Sequence, residues 1–509
     1  MASPTSISSV PVDVLINIFL KLDANSLHNC TLTCRRFRDA IQSSLPLSSH
    51  LWGYHPPAIH SNIGSITTEE SLERLTHHMK AWKSLDWEEH EFRLPQIGGS
   101  FTIAQGIYAT VSPESDMSSV YVYQLPSRLK KASFQQYVIE NVGFEVKDLA
   151  IDPSQNLLIL LEMQEVEGDD FCLARLHSFQ LSEGPPTDHP DGQMHIMNTN
   201  HSVDPELTSQ LAIWGSRVAF MWREEDSYRE GIIQVWDWKR GEMLWSRATP
   251  TEVNTFCFLT QDTILLPSVF QTIWEIEVWK IPEQPGKGGK IRRFLLSSTT
   301  MVQSTLKIMG ELTPPKPGQP IFAPSLEGQR IKLLWDISSS GSEETAQTRY
   351  EIFVRRDTFL HDYPHLPFAP VSYSDWAPGN VIVLQDSAPS SFNFLEMYNS
   401  AGRHARMLGP TGSTVEIDDF NIDRYTIESN SSSEAVAQVV PPTRKVPVGG
   451  VSTANDILPS SSSYWTVRRD ISFKRDLSWK DTIMLDEERI IFMQVNGWSN
   501  PTNLKVFVL

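Results

Sequence analysis

Few residues of this 509-residue chain stand at the spacings that chemistry requires. His77 and His78 are adjacent, so on a helix they point to different sides and make a poor metal pair. His361-Asp362-Tyr363-Pro364-His365 gathers two imidazoles and a carboxylate, which are metal-ligand types, but in a Pro-rich loop without a second cluster. Cys30 and Cys34 lie one helical turn apart, as two thiolate ligands would. No second ligand pair accompanies them, and they read as small core residues. Glu416, Asp418 and Asp419 crowd three carboxylates into what reads as a solvated acidic loop. No phosphate-cradling Gly-rich loop, His-Glu-x-x-His or Gly-x-Ser-x-Gly occurs. The chain proposes no reaction, and neither a metal nor a cofactor is expected.

The stronger signal is an apolar stripe without a core of its own. In Val10-Pro11-Val12-Asp13-Val14-Leu15-Ile16-Asn17-Ile18-Phe19-Leu20-Lys21-Leu22-Asp23, the residues Leu15, Ile18, Phe19 and Leu22 recur at helical spacing. Pro11 suits a first helical position and Asp13 a first turn. Asp23 and Asn25 are candidate N-caps of a second helix through Ser26-Leu27. A third helix reads through Cys34, Phe37, Ile41 and Leu45 and stops at Pro46. Three short helices cannot bury their own faces, so the unit needs a partner.

Order and spacing here resemble the F-box, whose pattern runs roughly Leu-Pro-x-Glu-ϕ-Leu-x-x-Ile-Phe-x-x-Leu-Asp-x-x-Ser-Leu, then Val-Cys-Arg-Arg-aromatic-Arg. Val10, Asp13 and Thr33 replace the more usual Leu, Glu and Val. The resemblance implies an F-box over residues 5–48 that docks a Skp-type adaptor. By carry-over, Pro11, Leu15, Ile18, Phe19, Leu22, Leu27, Leu32, Cys34 and Phe37 face the adaptor or form the internal F-box core. Sequence does not separate the two sets.

Composition bounds the rest. A chain of 509 residues exceeds one ordinary domain. Lys+Arg 43 against Asp+Glu 61 gives a formal charge of −18, which opposes binding to nucleic acid or to an anionic membrane. Four cysteines are too few for a disulfide framework. No signal peptide or membrane-spanning run is read, so a soluble protein of the cytoplasm or nucleus is expected.

Leu72, Leu75, Met79 and Trp82 make one face of a helix over residues 67–85, the connector within a helical linker at 49–86. From about residue 90, runs rich in Val, Ile, Phe, Tyr and Trp alternate with turn residues, as in an all-β array. Val235-Trp236-Asp237 and Leu334-Trp335-Asp336 resemble the WD-repeat signature. A closed β-propeller over 87–509 follows, because stacked four-stranded blades cover both faces of each sheet. Candidate blades lie near 98–140, 144–197, 208–248, 252–297, 302–358, 370–420 and 464–509. Six or eight blades, or a pair of β-sandwiches, also fit the pattern. The last blade lacks an outer strand, and Trp87–Leu94 is expected to supply it. Residues 428–463 read as a mobile insertion.

The fold class expected is thus a multidomain α+β chain, a small all-α F-box followed by an all-β propeller. The whole resembles fungal F-box proteins with degenerate propeller-like C-terminal regions. That resemblance implies a non-catalytic substrate-recognition subunit of an SCF-type ubiquitin ligase. The adaptor would bridge it to a cullin-RING ligase, and the propeller would hold an unknown protein substrate. The alternative is an interaction scaffold with no part in ubiquitin transfer.

Overall fold

The computed structural model describes residues 10–22, 24–51, 54–55, 67–94, 100–112, 118–165, 172–193, 195–199, 207–224, 231–250, 253, 255–270, 273–296, 304–309, 323–324, 329–338, 347–363, 369–386, 403–408, 414–420, 436–440, 446–447, 457–458, 464–471, 482–494 and 502–509. Four short helices come first: α1 (Val12–Phe19), α2 (Ala24–Thr33), α3 (Arg35–Gln42) and α4 (Leu45–Leu51). Pro11 precedes α1 rather than opening it, and its carbonyl accepts the amides of Val14 and Leu15 at 3.1 Å each. The third helix stops at Gln42 instead of running through Leu45. Pro46 falls in the first turn of α4, where a missing N–H costs no helical bond. Asp23, and the side chain of Asn25, lie outside the described residues.

Seven four-stranded antiparallel sheets form the propeller. The first four blades span 101–139, 146–199, 207–249 and 257–295, close to the expected limits. The later three shift. Blade five runs from Ser304–Met309 to Val381–Asp386, blade six begins at Arg403–Leu408, and blade seven begins at Thr482–Leu485. Long connections between paired strands displaced those boundaries, since a loop adds length without altering the ladder. Blade six also swaps its last two strands. Val436–Val440 takes the outer position and Tyr464–Asp470 returns between it and Thr414–Asp419. The stretch 428–463 therefore supplies a strand of the sheet. Of the two Trp-Asp words, 235–237 ends a third strand, whereas 334–336 lies in a second strand. Asp237 is buried, accepts the amides of Lys239 and Arg240 at 3.1 Å each, and ties down the turn.

The ring closes where expected. Glu88–Leu94 pairs antiparallel with Thr502–Val508, from Glu88 opposite Val508 to Leu94 opposite Thr502. Helix α5 (Thr68–Ser84) directly precedes this strand. Thr67 Oγ1 caps it by accepting the Glu70 amide at 3.1 Å, and Leu85 ends it in the left-handed region at φ 49°. Its apolar face is fully used. Trp82, Ala81 and Leu85 join the core between blades six and seven, while Leu75 and Met79 meet Leu129 of blade one and Leu45 of α4.

A turn at 486–489 fastens these parts. Glu488 Oε1 accepts Ser127 Oγ at 2.8 Å and the Leu129 amide at 2.9 Å. Arg489 Nε donates to the Pro126 carbonyl at 2.6 Å, and Trp82 Nε1 to the Glu487 carbonyl at 3.1 Å. The Arg489 guanidinium crosses so close to Gly106 that a Cβ there would stand 2.8 Å from Nη1. Only glycine fits at that φ of +83°.

Six blade-to-blade seams are filled by large apolar clusters. The seam between blades five and six differs. Among the described residues its apolar core is Phe353, Ile382, Leu384 and Phe420, and the rest is ionic. Lys332 Nζ meets Glu351 Oε1 at 2.6 Å, and His404 Nε2 meets Glu351 Oε2 at 2.9 Å. Arg406 bonds Glu416 and lies 3.4 Å from Asp418 Oδ2. Glu416, Asp418 and Asp419, expected in a solvated loop, are buried in the strand Thr414–Asp419. Their alternation sends Glu416 and Asp418 into this seam and Asp419 to the opposite face, 3.0 Å from Arg403 Nε. Burial pushes the Asp418 carboxyl up to about 7 and the His404 imidazole down.

Two outcomes follow from this architecture. A chain beginning at residue 98 should melt several degrees lower than one beginning at 86 and should self-associate. It loses the ladder partner of 502–508 and the buried Leu94, worth about 2–5 kcal/mol if truncated. Equal melting temperatures with a monomeric short form, by calorimetry and light scattering, would contradict the closure. Asp418 is protonated when folded and ionised when unfolded between pH about 4 and about 7, so its contribution falls as pH rises through that window and stays low above it. Asp418→Asn should therefore gain more melting temperature over the native chain at pH 8 than at pH 5.

Candidate adaptor-docking surface

Local sequence builds the helical unit from inside out. Leu15 and Phe19 on α1, Leu27 on α2, Phe37 and Ile41 on α3, and Leu47 and Leu51 on α4 share one core. The Phe19 and Phe37 rings meet edge to face at 5.1 Å. Arginines of the Cys-Arg-Arg-Phe-Arg run lace this core from outside. Arg36 donates to the Val10 carbonyl, and Arg38 Nε donates to the Thr31 carbonyl at 3.1 Å. His50 Nε2 lies 2.8 Å from the Leu22 carbonyl, tying α4 to the end of α1.

With the core assigned, the nine carried-over residues separate. Leu15, Phe19, Leu27 and Phe37 are buried inside the unit, and Leu22 packs partly against them. Pro11, Ile18, Leu32 and Cys34 face outward. Ile18 is 50% exposed and Leu32 63%, although both are large and apolar. Val12, Val14 and Leu20 are also exposed, and sequence reading had not picked them as contacts. Pro11, Val14 and Ile18 follow one another at spacings of three and four residues and so share one face. Among the described residues no element covers them, which leaves the face open to a partner.

The other candidate chemistry is accounted for structurally. His77 is exposed and His78 buried, so the adjacent pair faces two sides as expected. Arg292 donates to the His361 carbonyl and pairs with Asp362 Oδ1 at 2.5 Å. His365 lies outside the described residues. Among the described residues no three His, Cys, Asp or Glu side chains converge on a metal position. Burial pushes the Cys30 thiol up, whereas Cys34 is exposed at the start of α3 and not a core residue. Among the described residues no helix is long and apolar enough to cross a membrane.

Comparison agrees with the helical unit. The F-box-like family matches residues 7–51, and domains of this kind generally bind Skp-type adaptors. No curated protein matches the chain. Among solved structures, the AfRom2 CNH domain is 9% identical with a TM-score of 0.37, covering 82% of this chain and 98% of its own. Sqt1 of Saccharomyces cerevisiae is 9% identical with a TM-score of 0.35, covering 82% and 97%. The uncharacterized protein lmo1340 of Listeria monocytogenes EGD-e is 11% identical with a TM-score of 0.27, covering 66% and 93%. The chain thus joins an F-box-like domain to a seven-bladed propeller, the organisation of an F-box protein with a propeller.

The buried and exposed sets predict opposite behaviour. Leu15→Ala with Phe19→Ala removes two core side chains, each about 2–5 kcal/mol, and should unfold α1–α3. Ile18→Asp with Leu32→Asp should leave those helices protected from hydrogen exchange while adaptor capture falls at least tenfold. Capture that survives the exposed pair would move the docking face elsewhere.

Proposed function

We propose that this chain is the substrate-recognition subunit of an SCF-type ubiquitin ligase. The observation that carries the reading is the exposed apolar face of Pro11, Val14 and Ile18 on α1, with Leu32 exposed on α2, on a domain whose own core is formed without them. Covering such a face removes apolar surface from water and favours association, and the F-box-like match implies a Skp-type adaptor for that role. Through the adaptor the chain would reach a cullin-RING scaffold carrying the charged conjugating enzyme.

In this reading the protein performs no covalent chemistry. Its contribution is proximity, because a target held by the propeller presents its lysines at high effective concentration. A rigid arm serves that role better than a flexible one. The arm here is α5, clamped to blades seven and one through Trp82, Leu75 and Met79 and to the F-box-like domain through Leu45. The compartment would be the cytoplasm or nucleus, where such ligases and their targets meet.

Capture of the tagged full chain from cells tests this. Recovery of adaptor and cullin together, lost with Ile18→Asp and Leu32→Asp, is the expected result. Adaptor without cullin would replace the ligase reading by a scaffold, and neither would end both.

A further inference from the structure

Beside the outer strand of blade one, Gln135–Ile139, lies an open groove of about 650 Å³ between that strand and the loop that follows Gln180 in blade two. Its walls are Gln136, Tyr137 and Val138 of the strand, Glu140 and Asn141 just beyond it, and Glu183 with Gly184 and Pro185 of the loop. The strand pairs with Val120–Gln124 along one edge only. On its other edge, Ile139 forms a single parallel bridge with Gly184, and Pro185, which has no N–H, ends that pairing at once. Tyr137 Oη donates to the Leu181 carbonyl at 3.2 Å, so the loop is fixed against the strand. Among the described residues nothing else pairs with the free edge from Gln135 to Val138.

The same molecule shows how such an edge is filled. On blade four, Val371 lies parallel to the outer strand opposite Phe294. Its amide donates to the Arg293 carbonyl at 2.8 Å, and its carbonyl accepts the Leu295 amide at 2.9 Å. Blade one begins the same arrangement with Gly184 and leaves it unfinished. The outer strand of blade seven protects itself with Glu88, Glu89, Glu91 and Arg93, whereas Gln135-Gln136-Tyr137-Val138-Ile139 carries no charge and no proline.

We propose that this groove binds an extended, basic segment of a partner protein, which adds to blade one as a fifth strand. Backbone pairing along Gln135–Val138 supplies the register. Glu140 and Glu183, both exposed, face no cation among the groove's lining residues and supply the preference for Lys or Arg side chains. The chain's net charge of −18 draws such a segment in and makes its association salt-sensitive. The proposal deepens the receptor reading by naming where a target is held, yet the groove does not involve the F-box-like face.

The test uses the full-length protein and a labelled acetyl-Thr-Lys-Val-Lys-Val-Lys-Thr amide, followed by fluorescence anisotropy. Binding should weaken at least tenfold when the three lysines are replaced by glutamate, and again when alternate backbone amides are N-methylated. Glu140→Arg with Glu183→Arg, at two exposed positions, should abolish binding with the melting temperature unchanged. No binding by the native chain, or equal binding by the double variant, would overturn the proposal. Equal binding of the N-methylated peptide would reduce the groove to a charged surface without strand addition and overturn it too. Self-association of the native chain that the double variant abolishes would assign the groove to a second copy instead. Adaptor and cullin capture by the double variant should remain intact, so a failure here leaves the ligase reading standing, and the converse holds.

Discussion

The seven-residue ladder between Glu88–Leu94 and Thr502–Val508 is the constraint on which the rest depends. Blade seven is made from both ends of the propeller sequence, so the ring exists only when residues more than four hundred apart meet. Closure pairs the edge of Thr502–Val508 and brings Met484, Ile491, Met493, Leu504 and Val506 into one core with Ile103, Tyr108 and Tyr123 of blade one. It also fixes placement. The closing strand directly follows α5, so the step that seals the ring sets where the F-box-like domain stands.

The turn at 486–489 makes that coupling specific. Glu488 and Arg489 are buried and reach the 126–129 turn of blade one, while the Glu487 carbonyl receives the indole of Trp82. Buried ions are costly unless every partner is supplied, and here backbone carbonyls and amides complete the set. The cost secures one geometry. An apolar turn would let α5 slide, whereas hydrogen bonds to fixed carbonyls hold it in one position.

The ring is uneven in its chemistry. Most seams follow the ordinary propeller logic of interdigitated apolar side chains, and the seam of blades five and six replaces much of that with Lys332, Glu351, His404, Arg406, Glu416 and Asp418. The same blade six has exchanged its third and fourth strands. A sheet whose chain returns inward after laying its outer strand depends more on long-range pairing than a simple meander does.

Much was legible because it is local. Helix α5 lies within a residue of its expected limits, since its cap, acidic first turn and apolar period are all written in consecutive residues. The F-box order and the alternating strands are local as well, and the closing strand followed from counting edges. What sequence left open is decided by contacts at a distance. Leu15 and Ile18 share a helical face by spacing, yet Leu15 is buried in the core formed with Leu27, Phe37, Ile41, Leu47 and Leu51, whereas Ile18 lies outside it and is half exposed. Glu416, Asp418 and Asp419 look like a solvated loop until the strand that carries them packs between its neighbours, which buries Glu416 and Asp418 beside Arg406 in one seam and Asp419 beside Arg403 on the other face. Local periodicity determined which residues form each element, and only tertiary packing decided which face of each element meets water, because burial belongs to the neighbour and not to the residue.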